Sequence, residues 1–577
     1  MGAGPHRDAA PTSGSGAIEL VCAVVAVAVL QVFLGIYAVA LNRIFYGIYG
    51  PFYDSMSYLN GLAEMQTNAA ASGLATALVQ QISRSTVVYP WVAFAPFAGK
   101  IGLSRDVGVW IQVGAATYMQ LLLFYYFLRV RALPFVSSLV FSSVFVLIAA
   151  VFHFNGGLSD FRMDLIQYYL LTAVMALYLI AQRSDGYGWW VALGAGAGLL
   201  CLGRATSPVY LAAAFIVLFF ADLAGRVSAR QTVNGWLLAM ASAAAVAGWF
   251  YALNFNYLYY YYVVWNPDAN AHLPLSVSSR HLSFAVAHVG TLLAWALCLA
   301  ALMAAATIWR SAGMRALTSV NWRPLVFSAV PLGHLVISGA GLNPFVSIVG
   351  VGGVMMFLLQ PLTAKPVATS RWVMIGVVVV LIAGGLANAK AGLKHHVEPE
   401  GKAYIPRREG LAELVRVLAG QVDESRTGND LTFAVLHIGA MTRDTLFNTF
   451  VFDHSFAPGA NRRISIGAKT LSPVGEIVSV STELEWLKYP GATDQERIDG
   501  IVSNINRQAD FLLMAVDGSK LLEWIYMNRF VPEINRKLLQ AGEWTQISAA
   551  VPLYDDERIA VFRNERRRKA ATQPERP

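Results

Sequence analysis

Residues 42–64 read NRIFYGIYGPFYDSMSYLNGLAE, a loop in which the carboxylate of Asp54 stands among Phe52, Tyr53 and Tyr58. What precedes the loop decides the kind of protein. Ile18 to Leu41 carries no charge except Glu19 at its edge. At about 1.5 Å per helical residue it is long enough for a hydrocarbon core of about 30 Å. It exceeds a signal-peptide core and shows no clear cleavage site, so it reads as an uncleaved anchor. Asp54 then follows a membrane exit closely. An acid ringed by aromatic side chains there suits a site that handles a sugar. It also suits the cap of a helix beginning at Ser55.

The rest of the chain repeats the apolar theme. Of 577 residues, 56% are hydrophobic and 14% charged, where a soluble protein averages about 25% charged. Spans are expected near 107–128, 134–152, 164–181, 188–202, 206–222, 234–255, 282–308, 324–340, 344–360 and 371–389, eleven with the first. Val87 to Leu103, interrupted by Pro90, Pro96 and Lys100, reads as a re-entrant or surface-lying helix. Cys22, Cys201 and Cys298 are far apart and within apolar runs, so neither a disulfide framework nor a zinc site is indicated. The net charge of +8 follows from membrane topology and a basic tail, RNERRRK at 563–569, without a nucleic-acid motif.

Loop charge sets the orientation. With residues 1–16 as a disordered cytoplasmic N-terminus, the cytoplasmic loops hold Arg129, Arg131, Arg183, Arg226, Arg230, Arg310, Arg315, Arg323, Lys365 and Arg371. The short loops opposite hold Arg162, Arg204 and Arg280. This is a strong positive-inside bias, and counting 87–103 as a span would destroy it. An odd number of spans delivers residues 390–577 to the far side. There Leu431–His437 and Phe511–Val516 read as buried strands, 408–418 and 533–540 as helices, and 544–563 as a hairpin turning at Asp555-Asp556. The expected architecture is an α-helical polytopic membrane module over 17–389, with a large first external loop at 42–106, followed by a soluble α/β domain.

Four external segments carry candidate chemistry. They are Asp54 with Tyr58 and Glu64; HFNGGLSDFRMD at 153–164, with Asp160, Arg162 and Asp164; Arg204 in the tight turn GRATSP; and the aromatic tract 254–272. Charges at membrane depth cost about 2.5–3.5 kcal/mol each, so they are kept where they line a polar cavity. Each also has a plainer reading. Asp160 could cap the helix entering at Asp164, Arg162 could anchor to headgroups, and Tyr257–Tyr262 suit an interfacial aromatic belt. Gly350–Gly353 and Met355-Met356 suit helix packing.

Together, PFYDSMSYL, VVYPWVAFAP (87–96), GGLSDFRMD and CLGRATSPVYLAA (201–213) resemble the integral-membrane glycosyltransferases of the GT-C class, in the protein O-mannosyltransferase and aminoarabinose-transferase branch. The resemblance is best over the first 220 or so residues. It implies a GT-C-like membrane module and a multi-pass enzyme of the cytoplasmic (inner) membrane, with its active site and C-terminal domain on the periplasmic or extracellular side. It implies transfer of a sugar from a polyprenyl-phosphate donor to a glycan, lipid or protein acceptor, with inversion. Asp54 would be the catalytic base. Arg204 would bind the lipid phosphate, with Arg84 and Arg162 behind it; Asp160, Asp164, Tyr58 and Glu64 would orient substrates. The branch's Asp-Glu pair is Asp54-Ser55 here. A divalent metal is therefore compatible with these motifs and not demanded by them, and no other cofactor is implied. Membrane lipids are expected partners and nucleic acid is not. The competing readings of such a chain are a transporter or flippase, and a glycan polymerase or ligase of the cell envelope whose large late loop would be 256–280.

Overall fold

The computed structural model describes residues 15–50, 55–83, 85–98, 103–184, 186–225, 229–259, 273–313, 320–339, 344–368, 370–400, 405–425, 493–516, 530–554 and 557–572, the single residues 100 and 402, and three short strands given below. The expected disordered terminus lies outside these residues as far as residue 14, as do Asp54, Arg84 and most of the aromatic tract (260–272). The described chain forms two compact units. One comprises 1–40, 82–93 and 108–393; the other comprises 41–81, 94–107 and 394–577.

Among the described residues, eight helices are long and apolar enough to cross a membrane: 18–48, 106–130, 163–181, 207–225, 230–259, 291–311, 344–363 and 371–397. Three shorter apolar helices, 135–146, 188–203 and 323–338, account for the remaining expected spans. This is a multi-pass membrane protein. In chain order the first ten helices are α1 (Ser15–Ile48), α2 (Ser55–Ser72), α3 (Leu74–Ile82), α4 (Tyr89–Phe94), α5 (Asp106–Tyr125), α6 (Phe135–Ser143), α7 (Met163–Ala181), α8 (Gly188–Gly203), α9 (Ser207–Gly225) and α10 (Ala229–Tyr259). The 87–103 segment forms no span: α4 ends at Phe94, and a single 3-10 turn containing Pro96 follows.

The expected span 282–308 is corrected. It breaks at Gly290, which separates a helix at Arg280–Val289 from one at Thr291–Ala312. Gly290 takes φ +89°, and a Cβ there would lie 2.0 Å from Asn388 Oδ1. Asn388 Nδ2 donates to Val289 O at 2.9 Å. A side chain at 290 would be strained and would collide with the amide that satisfies the helix end.

The membrane unit is built around α7, every residue of which is buried. A helix that is apolar all round must be covered on every side. Three of its polar side chains find partners on neighbours: Gln167 Nε2 donates to Ser207 Oγ (2.9 Å), Tyr168 Oη to Phe145 O (2.9 Å) and Tyr178 Oη to Asp222 Oδ1 (3.0 Å). The buried Tyr169 hydroxyl, by contrast, meets no hydrogen-bond partner among the described residues. Next to it, α8 carries the run GAGAG at 194–198. A Cβ on Gly194 would lie 2.0 Å from Ala239 O, and one on Gly198 would lie 2.6 Å from Val246 Cβ. The glycines let the backbones of α8 and α10 approach closely. Gly352 and Gly353 play the packing role expected of them, against Thr172 and against Pro324 and Ser328.

Among the described residues, the second unit holds α2, α3, three longer C-terminal helices and two small sheets. Its main sheet has the order β1 (Phe433–Val435), β4 (Phe511–Ala515), β7 (Glu557–Asn564), β5 (Trp544–Gln546), with β6 (Val551–Tyr554) also paired to β7; β2 (Arg463–Ser465) and β3 (Pro473–Glu476) pair separately. β1 runs parallel to β4, and β4, β5 and β6 each run antiparallel to β7. Phe511 and Leu513 pack with Ile559, Val561 and the helix Arg408–Ser425. Leu512 and Met514 pack with Ala560, Phe562 and the helices Asp494–Gln508 and Val531–Gln540. Both faces are covered, which is why FLLMA is apolar without alternation. The expected hairpin is the β6–β7 pair, with Tyr554 opposite Glu557; residues 555–556 lie outside the described residues.

Candidate active site

The end of α8 and the start of α9 are joined by a short turn. α8 stays helical through Gly203, and at Arg204 the chain turns extended (φ −157°, ψ 129°). The Arg204 N–H still closes onto Leu200 O at 3.2 Å, and Ser207 N–H donates to Arg204 O at 3.0 Å. α9 begins at Ser207 with Pro208 next, a placement a helix start tolerates because its first N–H groups have no helical partner. The reversal is therefore only three residues long, and Arg204 is its first.

Its guanidinium is ion-paired with Asp164 in the first turn of α7, where a carboxylate is favoured by the helix dipole. The Asp164 side chain is 9% exposed and that of Arg204 25%. The pair is sunk but open on the arginine side. Three further bonds hold the turn. Val88 N–H, just before α4, donates to Leu202 O at 2.8 Å. Gln167, one turn along α7 from Asp164, donates to Ser207. Tyr251 Oη on α10 donates to Cys201 O at 3.0 Å.

Asp160 and Arg162 form a second, more deeply buried pair, 4% and 2% exposed. Asp160 Oδ2 accepts from Gly156 N–H at 2.6 Å and from Arg162 Nε at 2.8 Å. Gln112 Nε2 donates to Leu158 O at 3.1 Å, fixing the same loop to α5. The guanidinium carbon of Arg162 lies 4.2 Å from the centre of the Phe345 ring, a cation–π stack. Neither plainer reading of this loop holds. Asp160 does not cap α7, whose cap position makes no side-chain bond, and Arg162 is buried, not spread on a surface.

Of the expected site residues, Asp164 and Arg204 meet directly, as do Asp160 and Arg162. Tyr58 and Glu64 lie on α2, within the other compact unit, both half-buried; Glu64 Oε2 accepts from Gln81 Nε2 of α3 at 3.2 Å. Asp54 and Arg84 lie outside the described residues, and α2 begins at Ser55, the residue after Asp54. No three His, Cys, Asp or Glu side chains converge as a metal-ligand set among the described residues, and both acids of the second loop are committed to guanidinium partners. Sequence reasoning missed Gln167, Ser207, Tyr251 and Phe345. The GAGAG run was the one available signal that α8 and α10 lie close enough for Tyr251 to reach the turn.

No protein-family model matches the chain, and no curated protein matches it. Among solved structures the fold is shared with ArnT from Cupriavidus metallidurans bound to undecaprenyl phosphate, at a TM-score of 0.53 and 11% identity, over 95% of this chain and 98% of that one. The oligosaccharyltransferase of Archaeoglobus fulgidus is more distant. In the apo form its TM-score is 0.48 at 12% identity over 85% of this chain and 69% of that one. Archaeal oligosaccharyltransferase AglB from that organism, in complex with an inhibitory peptide and a dolichol-phosphate, gives 0.46 at 11% identity over 90% of this chain and 72% of that one. The resemblance to the GT-C class is borne out at the level of fold.

Proposed function

We propose that this chain is an integral-membrane glycosyltransferase, drawing a sugar from a polyprenyl-phosphate donor and passing it to an acceptor hydroxyl or amine on the extracytoplasmic face. The observation that carries the reading is Arg204: a cation at the end of α8, oriented by one buried carboxylate and a quarter exposed, in a chain with the ArnT fold. That neighbour was solved with undecaprenyl phosphate, the kind of lipid the reading requires.

The chemistry assigns the roles. The acceptor oxygen or nitrogen forms a bond to the anomeric carbon as the bond from that carbon to the phosphate oxygen breaks. The acceptor proton passes to Asp54, whose carboxylate serves as base, and polyprenyl phosphate departs with the electron pair. Negative charge grows on the departing phosphate. A fixed guanidinium in a site of low dielectric lowers the energy of that state more than mobile water does. Asp164 sets the plane of the Arg204 guanidinium. Arg84 and Arg162 add positive potential, and Asp160, Tyr58 and Glu64 help orient sugar and acceptor. One base and no covalent intermediate give inversion.

Proteoliposomes holding the full chain and a polyprenyl-phosphate sugar labelled in the sugar test this. Expected is release of unlabelled polyprenyl phosphate matched by label in an acceptor. Movement of a fluorescent polyprenyl lipid across the bilayer without cleavage of the sugar–phosphate bond would overturn the reading in favour of a flippase.

A further inference from the structure

The Tyr251 hydroxyl lies 3.0 Å from Cys201 O and 3.5 Å from Ala205 O. These carbonyls stand on either side of Arg204, so one hydroxyl spans the short stretch of backbone that carries the guanidinium. We infer that Tyr251 is a positioning residue for Arg204, which deepens the phosphate-binding reading above and rests on it.

The last carbonyls of a helix have no partner within it. At the end of α8, Leu200 O takes the Arg204 N–H and Leu202 O takes the Val88 N–H. Cys201 O takes the Tyr251 hydroxyl. Tyr251 reaches it because Gly194 and Gly198 bring α8 against α10. Removing the hydroxyl takes a donor from Cys201 O at the point where the chain leaves the helix. A half-buried polar group that loses its partner shifts to find another, and the extended backbone at Arg204 shifts with it. The guanidinium then meets Asp164 and the phosphate in a wider spread of orientations. Phenylalanine at 251 keeps the ring and the packing, so the hydroxyl is tested alone.

The test uses the full chain in nanodiscs, with undecaprenyl phosphate as the binding probe, in wild type, Tyr251→Phe, Arg204→Ala and the double variant. Tyr251→Phe should weaken lipid-phosphate binding about five- to ten-fold, the scale of one lost hydrogen bond, with the thermal midpoint nearly unchanged. It should add nothing in the Arg204→Ala background, because it acts through that side chain. Amide hydrogen exchange at Arg204 and Ser207 should quicken in Tyr251→Phe. Equal losses in both backgrounds, or unchanged exchange at those two amides, would overturn the positioning role. Wild-type binding by Arg204→Ala alone, with quickened exchange in Tyr251→Phe, would instead overturn the phosphate-binding reading and this inference with it.

Discussion

The carboxylate of Asp164, in the first turn of α7, is ion-paired with the guanidinium of Arg204, forty residues on at the end of α8. The two charges come from separate stretches of the chain and are brought together where α7 begins and α8 ends. Arg204→Ala should raise the KM for the polyprenyl-phosphate donor far more than that for the acceptor. Arg204→Lys should recover only part of the loss, since a point charge cannot copy a planar fork. Steady-state kinetics with each substrate varied in turn decides it; equal rises in both constants would mark a purely structural arginine.

Asp54→Asn should leave a folded, membrane-inserted protein whose transfer rate falls about 100- to 10,000-fold, the usual contribution of a general base. Size-exclusion profile and thermal midpoint control for folding. Wild-type turnover in this variant would remove Asp54 from the role.

The Asp160–Arg162 pair calls for a different outcome. Both side chains are buried, so removing one leaves the other desolvated and unbalanced, at a cost of about 3–5 kcal/mol. Arg162→Ala should therefore lower the thermal midpoint in detergent clearly more than Arg204→Ala, whose side chain is a quarter exposed. Similar midpoints for the two variants would contradict the buried pairing.

Gly194→Val should separate α8 from α10, because its Cβ would collide with the backbone oxygen of Ala239 and no side-chain rotation can relieve that. A loss of about 1–3 kcal/mol is expected, together with weakened donor binding as Tyr251 is drawn from the Arg204 turn. A melting curve and a donor binding isotherm on one preparation check both.

In the C-terminal unit, the Lys537 ammonium holds the Asp499 carboxyl below its ordinary value, as do the Thr493 backbone and hydroxyl for Glu496. Depressed carboxyl pKa values stabilise the fold above the unfolded value, near pH 4, and that contribution disappears as pH falls through the folded value. Amide exchange along Asp494–Gln508 should therefore separate wild type from Asp499→Asn at pH 5 to 6 and converge below pH 4. A gap that widens on acidification would reverse the assigned sign.

Much of the architecture was legible in the chain because burial in lipid demands long runs without charge. α7 and α8 could be read almost to the residue, and the strand at Phe511 from its unbroken apolar run. The misread span at 282–308 shows the limit. Hydropathy counts apolar residues and is blind to the backbone angle at Gly290, which the distant Asn388 helps set. Likewise, Asp160 could be read as a cap, whereas its carboxylate takes the Gly156 N–H and the Arg162 guanidinium within its own loop, a choice set by how that loop folds back.

By itself, then, the sequence determined that the chain is a multi-pass helical membrane protein with an α/β appendage, since solvation preference is a property of each residue and its near neighbours. It also marked Asp160, Arg162, Asp164 and Arg204 as charges too costly to bury without purpose. Only the tertiary structure decided which acid meets which arginine, and that Tyr251 and Val88 brace the turn between α8 and α9. The Asp164–Arg204 and Tyr251 contacts depend on distances between separate helices, and the reach of Tyr251 is set by glycines that let the backbones of α8 and α10 touch.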